Sequence, residues 1–189
     1  MDESEAALVG RCQDGDTEAF RTLVEKYSRV LFGTAYLMTR DRGLAEDAVQ
    51  GALVRIWEKL PSFRAHGSLK AWLVRIVVNE VNQQRRKKQP PVVSLEHAPE
   101  VPNDPPEIEE ALFHDEERQR LRQALETLTA EQREVVVLRY FSELTVPEVA
   151  AVMGKREGTI KSRLSRALDQ LGEILRKDEI FQDRNNDNG

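Results

Sequence analysis

From Thr17 onward the apolar residues return every three or four positions, at Phe20, Leu23, Val24, Tyr27, Leu31 and Ala35. That period predicts an amphipathic helix from about Thr17 to Met38. A second helix, from about Arg42 to Leu60, has Leu44, Ala45, Ala48, Val49, Ala52, Leu53, Ile56 and Leu60 as its core face, and Pro61 stops it. Its outer face is acidic and polar, with Glu46, Asp47, Gln50 and Glu58. Phe63 to Gly67 reads as a loop, and Ser68 is the N-cap of a third helix that turns Leu69, Leu73, Ile76, Val77 and Val81 inward. The opposite stripe of this helix is Trp72, Arg75, Asn79, Asn82, Gln83 and Arg86. Such side chains stack on bases, hydrogen-bond base edges and hold phosphates. The same stripe also reads as a solvated face with the tryptophan folded into the core, and the pattern alone does not choose.

In the second half, Leu121, Leu125 and Leu128 end one helix, and Thr129 with Gln132 opens another through a capping box. Val135, Val136, Leu138, Arg139 and Tyr140 lead into Thr145 to Leu171, which reads as two short helices joined by a tight turn. Thr145 and Glu148 form a capping box, Pro147 fits in the first turn, and Gly154 is placed to end the helix at positive φ. After the turn from Gly154 to Glu157, a helix from about Gly158 buries Ile160, Leu164, Ala167, Leu168 and Leu171. It leaves Lys161, Ser162, Ser165, Arg166 and Asp169 outside. Lys155, Arg156, Lys161, Arg163 and Arg166 against the single acid Glu157 make a local basic field suited to phosphates and guanine acceptor edges in a major groove. Alone, the second helix reads first as a wet surface helix; the capping box, turn glycine and basic hydroxyl-rich face together favour a helix-turn-helix DNA reader. Gly154 and Gly158 followed by Lys161-Ser162 have the wrong spacing for a phosphate-cradling loop.

Composition narrows the class. At 189 residues, with 6% aromatic content and few alternating β-branched runs, the chain is expected to be all-α, in two small helical domains. One cysteine, Cys12, excludes an internal disulfide and suits a reducing cytoplasm. The acidic start MDESEAALVG has no signal-peptide pattern, and no apolar run is long enough to span a bilayer, so a soluble cytoplasmic protein without membrane insertion is expected. The net charge of −5 argues against a general nucleic-acid coat, but charge is partitioned. Residues 61–90 carry seven basic residues against Glu80, and residues 91–119 carry nine acids against Arg118. Six of the eight prolines fall between Lys88 and Glu107, forbidding helix there and predicting an extended acidic tether. The expected organisation is a domain over 1–88, a flexible linker over 89–112, a helix-turn-helix domain over 113–177 and a disordered tail over 178–189.

Four stretches in this order carry a resemblance: AFRTLVEKY, AEDAVQGALVRIWEKLPSF, SLKAWLVRIVVNEVNQQRRKK and LTAEQREVVVLRYFSELTVPEVAAVMGKREGTIKSRLSRAL. Over roughly Ala19 to Leu175 the chain resembles the extracytoplasmic-function sigma factors of bacterial RNA polymerase, the compact type with only the second and fourth conserved regions of larger sigma factors. The resemblance implies a stress-responsive promoter-specificity factor that binds core RNA polymerase at its beta-prime clamp and beta flap. It assigns clamp docking to Glu46, Asp47 and Gln50. It assigns capture and melting of the minus-ten strand to Phe63, His66 and Ser68 in the loop and to Trp72, Arg75, Asn79 and Asn82 on the helix, with Lys87 and Lys88 on backbone phosphates. Reading of the minus-thirty-five duplex falls to Lys161, Ser162, Ser165 and Arg166 at the bases and to Thr159 and Arg163 on phosphates. The linker would thread the RNA-exit path, and an anti-sigma factor is an implied partner. The chain departs from the family pattern at Gly51 and Leu53, where an acid and a phenylalanine are usual, at Thr129 for a common proline, and at Lys155 and Arg156 for a buried aliphatic and a capping hydroxyl. Capping of the reading helix would then fall to Gly158 or Thr159.

No catalytic constellation is visible, so no enzyme, cofactor or metal site is expected: His66, His97 and His114 are far apart, and Cys12 has no nearby base. Two rival readings are a two-domain regulator that binds duplex DNA by itself through a LuxR-like helix-turn-helix, and a mimic that sequesters an anti-sigma factor. Neither accounts for both a single-strand face and a duplex face.

Overall fold

The computed structural model describes residues 4–64, 67–86 and 123–186, with only the backbone for 177–186. Among these residues there are helices and no strand. The chain forms two compact units, Met1–Asp104 and Pro105–Gly189, and the division falls within residues 89–112.

The first unit opens with a helix that periodicity did not announce, α1 over Glu5–Gln13, because only Leu8 and Cys12 of it are buried. Ser4 caps it by accepting from the Ala7 N–H at 3.3 Å. Asp16 caps α2, Thr17–Thr39, by accepting from the Glu18 and Ala19 N–H groups at 2.9 and 3.0 Å. Arg40 ends that helix in the left-handed region at φ 60. Asp41 caps α3, Arg42–Lys59, through the Leu44 N–H at 2.8 Å. A 3-10 turn over Leu60–Ser62, with Pro61 in its first positions, leads out of α3. The Ser68 hydroxyl accepts from the Ala71 N–H at 3.2 Å at the start of α4, Leu69–Arg86, as the sequence predicts.

Helices α2, α3 and α4 pack on one another, and α1 lies on α2 and on the 3-10 turn. The buried row of α3 is Ala45, Ala48, Ala52 and Ile56, and the three alanines have no exposed surface. Their small side chains let α2 and α4 approach α3 closely. This row corrects the expected core face: Leu44 is 44% exposed in the first turn, and Val49 and Leu53 are only half-buried at its flanks. The predicted core positions of α2 and α4 are all buried.

In the second unit, helical residues 123–127 are followed by α5, Ala130–Val136, whose capping box between Thr129 and Gln132 has both arms formed. Arg133, 5% exposed, donates to the carbonyls of Leu125 and Leu128, both at 2.9 Å. It thereby ties α5 to the end of the preceding helical segment, where the Leu125 carbonyl also accepts from the Leu128 N–H at 3.3 Å. A π-helical turn follows over Val137–Phe141, and then come α6, Val146–Met153, and α7, Glu157–Asn186. The helix thus continues through most of the segment expected as a disordered tail. Between Gly172 and Asn186 the sequence has no glycine or proline to stop it.

Candidate nucleic-acid interface

The α6–turn–α7 segment is a helix-turn-helix built as its sequence dictates. Thr145 accepts from the Glu148 N–H at 3.4 Å while Glu148 Oε2 accepts from the Thr145 N–H at 2.7 Å, completing the capping box. Gly154 ends α6 at φ 62, ψ 37, with its N–H on the Ala150 carbonyl, and the Lys155 N–H reaches the same carbonyl at 3.0 Å. Val149 and Val152 of α6 are buried with Ile160, Leu164, Ala167 and Leu171 of α7. Leu168, expected in that row, is instead 42% exposed, one position past the stripe that Leu164, Ala167 and Leu171 define. The start of α7 also differs from expectation. The helix begins at Glu157, and the Arg156 carbonyl accepts from the Thr159 and Ile160 N–H groups at 2.9 and 3.2 Å, so neither Gly158 nor Thr159 is its cap.

Of the residues assigned to duplex reading, Lys161, Ser162, Ser165 and Arg166 are exposed, and Thr159 and Arg163 are half-buried beside them. The Ser162 hydroxyl donates to the Thr159 carbonyl at 3.0 Å, and Arg166 Nε donates to the Ser162 carbonyl at 3.2 Å. Arg166 therefore lies back along the helix toward the preceding turn.

In the first unit, Arg75 and Asn79 are exposed on α4, with Trp72 and Asn82 half-buried on the same stripe. Trp72 is not folded into the core: its ring meets Phe63 at 4.9 Å between centroids, tilted by 52°. An indole and a phenyl ring are thus held together where the loop meets α4, offering an aromatic surface of the kind on which bases stack. Gln83, expected on this stripe, turns instead to α3, where its Oε1 accepts from Arg55 Nη2 at 2.8 Å. Arg85 donates to the Met38 carbonyl, tying the end of α4 to α2. His66, Lys87 and Lys88 lie outside the described residues.

On α3, Asp47 and Gln50 are exposed and Glu46 is half-buried. Glu46 pairs with Arg42 at 2.9 Å. Glu46 and Asp47 on one turn and Gln50 on the next share the polar face of α3.

Three supporting residues escaped the sequence reading. Arg55 pairs with the buried Glu80 at 2.5 Å; Gln13 donates to two loop carbonyls; and Glu5 accepts from Tyr27, whose hydroxyl is pushed well above its ordinary range by burial and by that carboxylate. An arginine or glutamine at an ordinary helical position gives no sequence signal, because its partner comes from a distant element.

Comparison with known proteins decides among the readings. A family model described as Sigma-70 region 2 matches residues 23–90, and one described as Sigma-70, region 4 matches residues 118–171. The chain is 33% identical over 175 residues to the ECF RNA polymerase sigma factor SigM of Mycobacterium tuberculosis (strain H37Rv), covering 92% of this chain and 86% of that one. This chain belongs to the extracytoplasmic-function sigma factors. It is 31% identical to the ECF RNA polymerase sigma-E factor of Escherichia coli K12, covering 89% of this chain and 92% of that one. Among solved structures, CnrH in complex with the cytosolic domain of CnrY is similar with a TM-score of 0.66 at 26% identity, covering 90% of this chain and 96% of CnrH. The sigma factor RpoE of Bartonella quintana, in complex with the anti-sigma factor NepR, is similar with a TM-score of 0.61 at 29% identity, covering 82% and 98%. A sigma factor binds core RNA polymerase, brings it to promoters and starts transcription, and that is the function of this chain. No helix among the described residues is long and apolar enough to cross a membrane.

Proposed function

We propose that this sigma factor works through three separate faces. The outer face of α3, with Glu46, Asp47 and Gln50, docks on the beta-prime clamp. The junction of loop and α4, with Phe63, His66, Ser68, Trp72, Arg75, Asn79 and Asn82, captures and separates the minus-ten strand, and Lys87 and Lys88 hold its phosphates. The exposed face of α7, with Lys161, Ser162, Ser165 and Arg166 toward bases and Thr159 and Arg163 toward phosphates, reads the minus-thirty-five duplex, while the second unit meets the beta flap. The observation that carries this reading is the Phe63–Trp72 pair standing out of the core beside the exposed Arg75 and Asn79. A regulator that only binds duplex DNA has no use for such a surface.

The polymerase supplies the chemistry, and the factor supplies address and opening. The acidic, proline-rich segment 89–112 links the two units through the RNA-exit path. Like the solved relative bound to NepR, the factor is held in check by an anti-sigma partner in the bacterial cytoplasm.

The direct test is transcription by purified core polymerase on fragmented genomic DNA, with and without this protein. New start sites sharing a two-part upstream element are expected. Duplex binding by the protein alone, with no new starts, would replace this reading with that of a free-standing regulator.

A further inference from the structure

The side chain of Gln13, the last residue of α1, donates to the Leu60 carbonyl at 3.1 Å and to the Phe63 carbonyl at 3.0 Å. These carbonyls bracket the 3-10 turn between α3 and the loop that leads to α4. The Leu60 carbonyl also accepts from the Phe63 N–H at 3.0 Å, so one turn of backbone is closed internally and then pinned from outside. Phe63 itself is extended, at φ −62 and ψ 130, and its ring lies on Trp72. A shift of the turn would therefore move the aromatic pair.

Helix α1 is well placed to act as the anchor. Leu8 and Cys12 seat it in the core, Tyr27 donates to Glu5 at its first turn, and Arg11 pairs with Asp16 at 2.6 Å at its last. Gln13 is thus held at both ends, by a fixed helix and by two backbone acceptors. Among common side chains in that position it supplies something specific, since an amide NH2 has two donors and the two facing groups are both acceptors.

We propose that Gln13 is a positioning residue for promoter opening: it fixes the Leu60–Phe63 turn from α1 and so sets the Phe63–Trp72 surface against which the minus-ten strand is captured. The proposal rests on the reading of that surface given above. The effect of Gln13 passes through the turn.

The test compares holoenzymes carrying Gln13→Met, Gln13→Glu and Gln13→Lys with the wild type, at a promoter found by start-site mapping. Opening is read from permanganate-reactive thymines, with core affinity and minus-thirty-five protection measured alongside. Methionine keeps the length and loses both donors, and glutamate sets a carboxylate against two carbonyls. Both are expected to lower the opening rate about tenfold, the effect of about 1.4 kcal/mol and the size of one or two neutral hydrogen bonds, with core binding and duplex protection unchanged. Lysine brings N–H donors suited to the carbonyls around a helix C-terminus and is expected to restore opening. A purely packing role predicts the reverse order, with methionine better than lysine.

Trp72→Ala is run in parallel. Normal opening by Gln13→Met with a defective Trp72→Ala overturns the positioning role and leaves the strand-capture reading standing. Normal opening by Trp72→Ala overturns that reading and the positioning role together. Equal loss of core binding, duplex protection and opening in Gln13→Met would mean a general folding role and also overturn the proposal.

Discussion

Glu80 Oε1 lies 2.5 Å from Arg55 Nε across the interface of α3 and α4, and the two partners differ in exposure: 11% for the Glu80 side chain and 43% for that of Arg55. The pair binds the helix assigned to strand capture to the helix assigned to polymerase docking, and Gln83 joins it through Arg55. Its energetics are unequal because the acid is buried and the base is half in water. Arg55→Met deprives a buried carboxylate of its cation and is expected to destabilise the first unit by roughly 2–3 kcal/mol. Glu80→Gln leaves a guanidinium that water can solvate and is expected to cost about 1 kcal/mol or less. Both tryptophans, Trp57 and Trp72, lie in the first unit, so urea unfolding followed by their fluorescence reads this unit alone. Equal costs would contradict the asymmetry.

Gly51 faces the same carboxylate. A Cβ built there would stand 3.2 Å from Glu80 Oε2, closer than ordinary contact but against the movable end of a side chain. Gly51→Ala gains about 1 kcal/mol of helix propensity and gives part of it back by displacing the carboxylate, so its midpoint should stay close to that of the wild type. Gly51→Glu puts a second negative charge beside Glu80 and should be clearly destabilising, with recovery when combined with Glu80→Gln. A Gly51→Glu chain as stable as the wild type would show that the acid is free to leave.

The helices and their main core rows were legible because each depends on residues three or four apart: the stripes of α2 and α4, both second-unit capping boxes and the glycine turn stand in the structure where the pattern puts them. α1 was not legible, since two buried residues make no period. Leu44 and Leu168 failed for a related reason: each borders a true buried row, and a count of apolar residues cannot tell border from row. The candidate faces are assigned from their residue types and from the family resemblance. Their supports, Gln13, Arg55 and Arg133, were missed because each bonds to groups whose position only the packed structure gives.

Gly154 tests how tightly the helix-turn-helix depends on its turn. Nothing lies within 4 Å of a Cβ added there, so a substitution meets only the backbone cost of φ 62. Gly154→Ala is expected to destabilise the second unit by about 1 kcal/mol, and Gly154→Asn by less. Helical circular dichroism of the full chain during heating would register the change. A larger loss with alanine would point to a clash that the structure does not contain.

Asp16 gives an acid-side signature. Backbone hydrogen bonding from Ala19 and the Arg11 guanidinium hold its carboxyl below the ordinary value of 3.8. A depressed folded-state pKa means that its contribution is complete above 3.8 and is lost as pH falls below that value through the folded pKa. Asp16→Asn keeps a capping oxygen without the titration. The difference in melting temperature between wild type and Asp16→Asn should be constant from pH 7 to about pH 5 and shrink below pH 4. A difference that does not change with pH would remove the charge from the argument.

Duplex reading and strand opening are separable by mutation, because the two candidate faces lie in different compact units. Arg166 is exposed on α7 and braced by the Ser162 carbonyl, so Arg166→Ala removes a guanidinium without disturbing the core. If that guanidinium meets a base edge, the variant weakens duplex binding by about 1–3 kcal/mol and blurs preference at one minus-thirty-five position. Lys161→Ala, if its ammonium approached only phosphate, would instead weaken all sequences alike and flatten the salt dependence. Trp72→Ala and Asn79→Ala are expected to do neither: closed complexes form normally, and permanganate-reactive thymines are lost. Footprinting of closed complexes at low temperature and of open complexes after warming, on one promoter, measures both. Loss of closed complexes with Asn79→Ala would place that residue in duplex or polymerase binding. Loss of opening with Arg166→Ala, once its binding defect is saturated out, would mean that the second unit takes part in melting.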